Sequence, residues 1–319
     1  MVGSSGPSQS AASLRHARVL VTGAAGFVGA HLCRRLGAAG AKVFAVSRSA
    51  RAVATDIPGQ HWLHADIAVA PECERVVRDA APDVVFHLAS VVRGSRDRSL
   101  VRPTFEANLA STVYLLDALA DSGGGRFVQL GSLEEPDSPE ATPCSPYAAA
   151  KAAASGYARM FAELYGLGAV VARVFMVYGP GLQDADKLVP YVITRLLEGQ
   201  PVQLASGRRR VDWVYVEDVA EGLVLLGANA DRLAGRTLDL GSGELSSTGA
   251  VVRRLYALLA PGEEPPFGTL PDRAAEVVRA AGADETERML GWRARVGLDE
   301  GLARTVEWFR GRGPSTLAP

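Results

Sequence analysis

The amino-acid sequence predicts an α/β protein, a doubly wound parallel sheet followed by a smaller C-terminal lobe. Three observations carry that expectation. Short apolar runs recur through the first 180 residues, amphipathic stretches of helical spacing separate most of them, and this alternation breaks beyond Gly179. Strands of a parallel sheet are covered on both faces and therefore read as continuous apolar runs rather than as alternating ones.

The elements follow in order. RVLVTG (Arg18 to Gly23) is a strand ending in glycine, and FVGAHLCRRLGAAG after it has helical spacing. KVFAVS (Lys42 to Ser47), HWLHAD (His61 to Asp66), DVVFHLAS (Asp83 to Ser90), RFVQLGS (Arg126 to Ser132) and AVVARVFMVYG (Ala169 to Gly179) repeat the strand pattern. Next come the turn-rich GPGLQDADK, a helix near Leu188 to Glu198, and the strand-like PVQLA and RRVDWVYV. VYVEDVAEGLVLL reads as a strand feeding a helix, so the chain is expected to rejoin the main sheet over about 211–230. The predicted division is a disordered leader at 1–17, a nucleotide-type sheet domain at 18–180, and a lobe at 181–319, with PGEEPPFG (261–268) as a surface loop.

Composition narrows the function. At 319 residues and 48% hydrophobic side chains the chain can bury a large core, and 34 basic against 35 acidic residues give no net field for nucleic acid or an anionic membrane. Cys33, Cys73 and Cys144 are odd in number and widely spaced, which speaks against a disulfide framework or a zinc site and fits a reducing cytoplasm. The Ser-, Ala- and Gly-rich first 17 residues lack the apolar core of a signal peptide, and no apolar run approaches the roughly 20 residues that span a bilayer.

Gly23, Gly26 and Gly29 in TGAAGFVG stand between the first strand and the first helix, where backbone N–H groups and the helix dipole favour a pyrophosphate; elsewhere, three glycines would simply make a tight turn. At the end of the second strand, where an acidic residue would meet a ribose 2′-hydroxyl, the chain reads VSRSAR. Ser47, Arg48 and Arg51 there suit a 2′-phosphate, so NADP(H) is the expected cofactor, with NAD(H) the alternative. Tyr147 and Lys151 in SPYAAAK lie four residues apart on one helix face, an arrangement in which the ammonium is expected to lower the phenol's pKa and make it an acid/base. Ser132 ends the fifth strand and can bond the same substrate oxygen. His87, in a buried strand, is expected to be a hydrogen-bonded core residue.

Together, TGAAGFVG, the HAD segment, HLAS, Asn108 in a long helix, Ser132, PYAAAK, RVFMVYGPG, VDWVYVEDVA, LGW and GLARTVEWF resemble the extended short-chain dehydrogenase/reductase family. Within it they are most similar to the NAD(P)-dependent nucleotide-sugar epimerase, dehydratase and 4-ketoreductase branch, over nearly the whole chain. The resemblance implies a Rossmann-type domain in which Gly23, Gly26 and Gly29, with Phe27 and Val28, hold the pyrophosphate, and Asp66 with Ile67 the adenine. It further implies Leu88, Ala89, Ser90 and Asn108 along the cofactor, Lys151 on the nicotinamide ribose, and Ser132 with Tyr147 on the sugar. Glu134, Met176, Leu188, Val189, Arg210 and Arg273 are the expected contacts of a nucleoside-diphosphate sugar in a substrate-binding lobe, with Arg210 or Arg209, and Arg273, as candidates for its diphosphate. The family commonly forms homodimers, here through the helices near Ser99 to Asp121 and Ser145 to Tyr165.

Two departures shape the expected activity. Where the family's 4,6-dehydratases carry Asp then Glu after the catalytic Ser or Thr, this chain has Leu133 and Glu134, and leucine cannot donate a proton. Met176 stands where many relatives carry asparagine, implying a more apolar pocket wall. The expectation is an NADPH-dependent 4-ketoreductase of a 4-keto-(6-deoxy)sugar, with an NAD-dependent 4-epimerase as the alternative. A 4,6-dehydratase, or a non-catalytic dinucleotide-binding protein on the same fold, ranks below both.

Overall fold

The computed structural model describes residues 14–48, 60–138, 140–181, 183–272 and 277–312. Arg51, Arg273 and most of the expected leader lie outside the described residues. The last four leader residues, expected to be disordered, belong to the fold: Leu14 is fully buried, His16 N donates to Gly40 O, and Lys42 N donates to Ala17 O.

The chain divides into two compact units. The first runs to Val174 and includes Ala220–Asp239 and Asp284–Trp292. Its seven-stranded sheet has the order β3-β2-β1-β4-β5-β6-β9, from β1 (Arg18–Thr22), β2 (Lys42–Ser47), β3 (Gln60–His64), β4 (Val84–His87), β5 (Arg126–Ser132), β6 (Gly168–Val174) and β9 (Thr237–Leu240). The ladders joining β1 to β2 and β4, β2 to β3, β4 to β5, and β5 to β6 are all parallel. The strand order reverses between β1 and β4, and in such sheets the crevice beyond the strand C-termini at that point is where ligands bind.

On one sheet face, α2 (Ala70–Ala80), α4 (Ser111–Asp121) and α5 (Pro146–Tyr165) cover a core that includes Leu20, Val85, Leu115, Leu119, Phe127 and Phe161. α1 (Phe27–Ala38) follows the glycine turn. A short helix α3 (Val101–Thr104) runs into α4 through a π-helical stretch, Phe105–Ala110. Among the described residues no helix is long and apolar enough to cross a membrane.

The second unit comprises Phe175–Val219, Leu240–Ala283 and the residues from Arg293 onward. It contains a three-stranded sheet in which β8 (Arg210–Tyr215) lies parallel to β7 (Met176–Tyr178) and antiparallel to β10 (Leu245–Ser247). Around this sheet α6 (Leu188–Leu197), α8 (Thr248–Leu259) and α9 (Leu298–Arg312) bury Val189, Ile193, Trp213, Leu255, Leu302 and Phe309.

Three expectations are corrected. The apolar run Ala169 to Gly179 is two strands in two sheets, broken at Phe175. VDWVY belongs to the small sheet; the chain returns to the first unit at Ala220, along α7 (Val216–Ala228), and supplies the seventh main-sheet strand only with β9. PVQLA makes a single bridge, Leu204 to Phe267, instead of a strand.

Candidate active site

The turn after β1 requires its glycines for space as well as conformation. Gly23 has φ +67°, and a Cβ there would stand 2.7 Å from Ala89 N. A Cβ at Gly29 would stand 2.1 Å from Gly23 O, so the first turn of α1 can approach the strand end only without a side chain. Gly26 caps α1 with no side-chain hydrogen bond, and the helix's first turn carries no acidic residue. The leading N–H groups of Phe27 and Val28 are thus left to an anion, which the helix dipole favours.

Beside this turn lies a cavity of about 290 Å³ lined by Gly23, Ser47, Arg48, Asp66, Ile67, Ala89 and Ser90, all expected from the sequence, and by Thr22, Val46 and Val91, which were not. Arg48 is exposed at the end of β2, and neither Ser47 nor Arg48 is a carboxylate. Ala68 N donates to Asp66 Oδ1 at 3.1 Å, holding that carboxylate at the end of β3. A glycine cradle, an uncapped helix start and a cavity that crosses the ends of β1, β2 and β4 together fit a dinucleotide.

Two of the expected cofactor residues, Leu88 and Asn108, are buried and hydrogen-bonded within the first unit. Leu88 is buried, and its N–H donates to Thr22 O. Asn108 is fully buried within the π-helical stretch, where its Oδ1 accepts from Ser90 Oγ (3.1 Å) and Val91 N (2.7 Å) while its Nδ2 donates to Val91 O. It holds the loop after β4 against the cavity, and a π-bulge that aims one side chain in this way is common at functional sites. Thr22 Oγ1 ties β1 to that same loop by accepting from Ala89 N.

The second cluster gathers around the end of β5. Ser145 Oγ caps α5 by accepting from Ala148 N, and Pro146 begins the helix. One turn separates Tyr147 from Lys151, and both are buried beside the buried Ser132. Lys151 Nζ donates to Leu130 O at 2.7 Å and lies 6.0 Å from the Tyr147 ring centroid.

The expected lowering of the phenol's pKa is not what this arrangement produces. Burial raises Tyr147, interaction with the Ser132 hydroxyl pulls it partly back, and the charges of Glu134 and Glu135 raise it again. Burial also pushes the Lys151 ammonium down to about 8, against the opposing pull of Glu135. The phenol is therefore held as an acid, with its proton in place.

Leu133 is buried, and its N–H donates to Val174 O. Glu134 N donates to Ser132 Oγ at 3.2 Å, while Glu134 Oε2 is buried with no hydrogen-bond partner among the described residues. The loop after β4 passes close by, for a Cβ on Gly94 would meet Glu134 Oε1 at 3.0 Å. A buried acceptor lacking a donor is costly unless a ligand supplies one. His87 is buried, with Nδ1 bonded to Thr22 Oγ1 (2.7 Å) and Nε2 to Ser111 Oγ (3.2 Å); burial first, then Lys151, lowers it to about 3. It stays neutral and structural. Cys144 is a half-buried free thiol.

In the second unit, Met176 is half-buried in β7, Leu188 begins α6, Arg210 is exposed at the start of β8, and Val189, at 2% exposure, belongs to the core. Sequence reasoning missed Glu135, whose carboxylate accepts from Ser132 N at 2.7 Å.

The model of the NAD dependent epimerase/dehydratase family matches residues 19–241. The chain is 30% identical over 318 residues to a UDP-glucose 4-epimerase of Mycolicibacterium smegmatis, covering 92% of this chain and 99% of that one. It is 29% identical over 338 residues to dTDP-glucose 4,6-dehydratase 1 of Escherichia coli, covering 92% of each. A solved structure of the dTDP-glucose 4,6-dehydratase DesIV from Streptomyces venezuelae, with NAD and TYD bound, superposes with TM-score 0.82 at 30% identity over 92% of this chain and 97% of that one.

Proposed function

The chain belongs to the NAD dependent epimerase/dehydratase family of nucleotide-sugar enzymes, and on that premise we propose that it is an NADPH-dependent 4-ketoreductase of a nucleoside-diphosphate 4-keto-(6-deoxy)sugar in activated-sugar biosynthesis. The observation that carries this reading is the pairing of an intact Ser132, Tyr147 and Lys151 set with a buried leucine at 133, where elimination of water would need a proton donor. A bound nicotinamide supplies the hydride. Tyr147 gives its proton to the sugar oxygen, so that C=O becomes CH–OH; the Ser132 hydroxyl donates to the same oxygen, and the Lys151 ammonium stabilises the phenolate left behind. Glu134 serves as a polar contact for the sugar, and Met176, Leu188 and Arg210 are kept as candidate contacts of the nucleotide-sugar from the second unit.

The preference for NADPH rests on Ser47 and Arg48 at the end of β2, both lining the cavity, while the carboxylate in that lining, Asp66, comes from the segment after β3. A 4-epimerase is the second reading, favoured by the 30% identity to an enzyme of that activity and by NAD in related structures. It would use the same residues twice and retain its cofactor. Titration of cofactor-stripped protein with both dinucleotides separates the two: NADPH is expected to bind more tightly, and protein that purifies with tightly held NAD supports the epimerase.

A homodimer is part of this reading. Val101 and Phe105 before α4, and Tyr157, Leu164 and Tyr165 on α5, leave 40–65% of their surfaces exposed. A monomeric mass in light scattering at micromolar concentration would reject it.

A further inference from the structure

The turn after β5 buries a carboxylate that the chemistry above does not use. Glu135 Oε1 accepts from Ser132 N at 2.7 Å, and Glu135 N donates back to Ser132 O at 3.1 Å, so both backbone polar groups of Ser132 are held by this one residue. Gly131 makes the approach possible, since a Cβ there would lie 2.6 Å from the same carboxylate oxygen. The residue is 7% exposed.

Its other neighbours are charged or polar. Burial raises the pKa of the Glu135 carboxyl; against it the Ser132 N–H, Lys151 on α5 and Arg173 on β6 favour the carboxylate, and Arg173 Nε is itself engaged by Asp239 on β9 at 2.7 Å. The buried Ser155 hydroxyl, one turn beyond Lys151, also favours the charged form, although its geometry falls short of a full hydrogen bond.

We propose that Glu135 is a positioning residue for the reaction, anchoring the strand end that presents Ser132 and serving as the buried counter-charge of Lys151. This rests on the reading that Ser132 and Lys151 act on the substrate and cofactor.

Two physical requirements converge on the residue. A hydroxyl that must meet a substrate oxygen needs a fixed backbone, and the reciprocal bonds between Ser132 and Glu135 close a small ring that fixes it. A buried ammonium is destabilised unless a negative charge lies near. The described groups with electrostatic influence on this cluster are Glu134 after β5, Tyr147 on α5, His87 on β4, which is held neutral, Arg173 on β6 with Asp239 on β9, and Asp137, which acts on Arg173. Glu135 is the carboxylate whose charge opposes loss of the Lys151 proton.

The chain has three lysines, Lys42, Lys151 and Lys187, so protein carrying 13C at the lysine Cε gives three signals to follow by NMR against pH, with Lys151→Arg assigning the one of interest. In the wild type the Lys151 midpoint is expected near 8. In Glu135→Gln it should fall by roughly 1 pH unit, the scale of losing a nearby opposite charge. In the same variant kcat at neutral pH should drop about tenfold with the dinucleotide Kd unchanged, a split that general loss of structure would not produce. Glu135→Asp keeps the charge and should restore most of the midpoint but little of the kcat, because the shorter side chain no longer reaches Ser132 N. An unchanged Lys151 midpoint in Glu135→Gln overturns the proposal whatever kcat does. Should that variant not fold, wild-type midpoint and kcat together in Glu135→Asp overturn it. If the wild type turns over no nucleotide sugar, the ketoreductase reading fails while the Lys151 midpoint still decides the role of Glu135.

Discussion

Glu135 in the first unit and Asp212 in the second are both buried carboxylates next to turns, and they are satisfied differently. Asp212 is fully buried within β8 and accepts four donors: Ser242 N and Oγ at Oδ1, both at 2.7 Å, and Gly243 N and Ala281 N at Oδ2, both at 2.9 Å. Every lone pair faces a fixed dipole within the same unit, and Gly241 leaves the space, since a Cβ there would sit 2.9 Å from Oδ2. Glu135 accepts from Ser132 N, and Lys151, Arg173 and the Ser155 hydroxyl act on its charge. Burial raises its pKa despite them. A carboxylate saturated by three backbone donors and a hydroxyl pins a loop, whereas one whose charge is shared with a buried amine can set a proton's position; burial alone does not distinguish the two.

The largest effect is expected at the reacting group. Tyr147→Phe should cut turnover by about 10² or more and leave dinucleotide affinity nearly intact, as measured by steady-state kinetics and cofactor titration. Near-normal turnover would remove the first unit's claim to the chemistry. Asp212→Ala should act on stability instead. It leaves four donors on half-buried residues without their acceptor, at a cost on the order of 3 kcal/mol, read as a lower thermal midpoint with dinucleotide affinity little changed. Loss of dinucleotide binding in the folded variant would contradict the contrast.

The pH dependence sharpens the contrast on the Glu135 side. Lys151 is protonated below about 8, so ketosugar reduction should hold level up to that pH and then fall by about tenfold per pH unit. The sign for stability is opposite. The folded value lies below the ordinary lysine value, so the cost of burying the ammonium is full below pH 8 and is relieved as pH rises above it. A turnover that rises through pH 8 would contradict the assignment. The smallest effect is at the cofactor. Arg48→Ala should erase most of an NADPH preference of about 1–3 kcal/mol, the scale of a charged hydrogen bond.

The contrast also explains what could be read from sequence. The glycine turn, the six strands from β1 to β6 and the Tyr147–Lys151 spacing were legible because local chemistry dictates them: left-handed backbone at Gly23, double-sided burial of parallel strands, and one face of one helix. The switch from β6 to β7 was not, because Val174, Phe175 and Met176 are uniformly apolar and nothing in the run punctuates the change of sheet. β8 was misassigned for the same reason, since an apolar run does not reveal which sheet it pairs with. Glu135 carried one faint signal, a second acidic residue three positions after Ser132 and directly after a strand, and only the fold brings Lys151 and Arg173 to it. The lowering expected for Tyr147 reversed because spacing along a helix says nothing of how deeply the helix face is buried.

Net reduction with exchange of cofactor is decided by incubating the purified protein with a panel of nucleoside-diphosphate 4-ketosugars and NADPH, following the reduced cofactor's absorbance and the sugar product by mass spectrometry. NADPH is expected to be lost in step with formation of a sugar two hydrogens heavier, with no conversion of a nucleotide-activated glucose to its 4-keto-6-deoxy form. Epimerised sugar formed without net consumption of NADPH, or appearance of that dehydrated product, would contradict it.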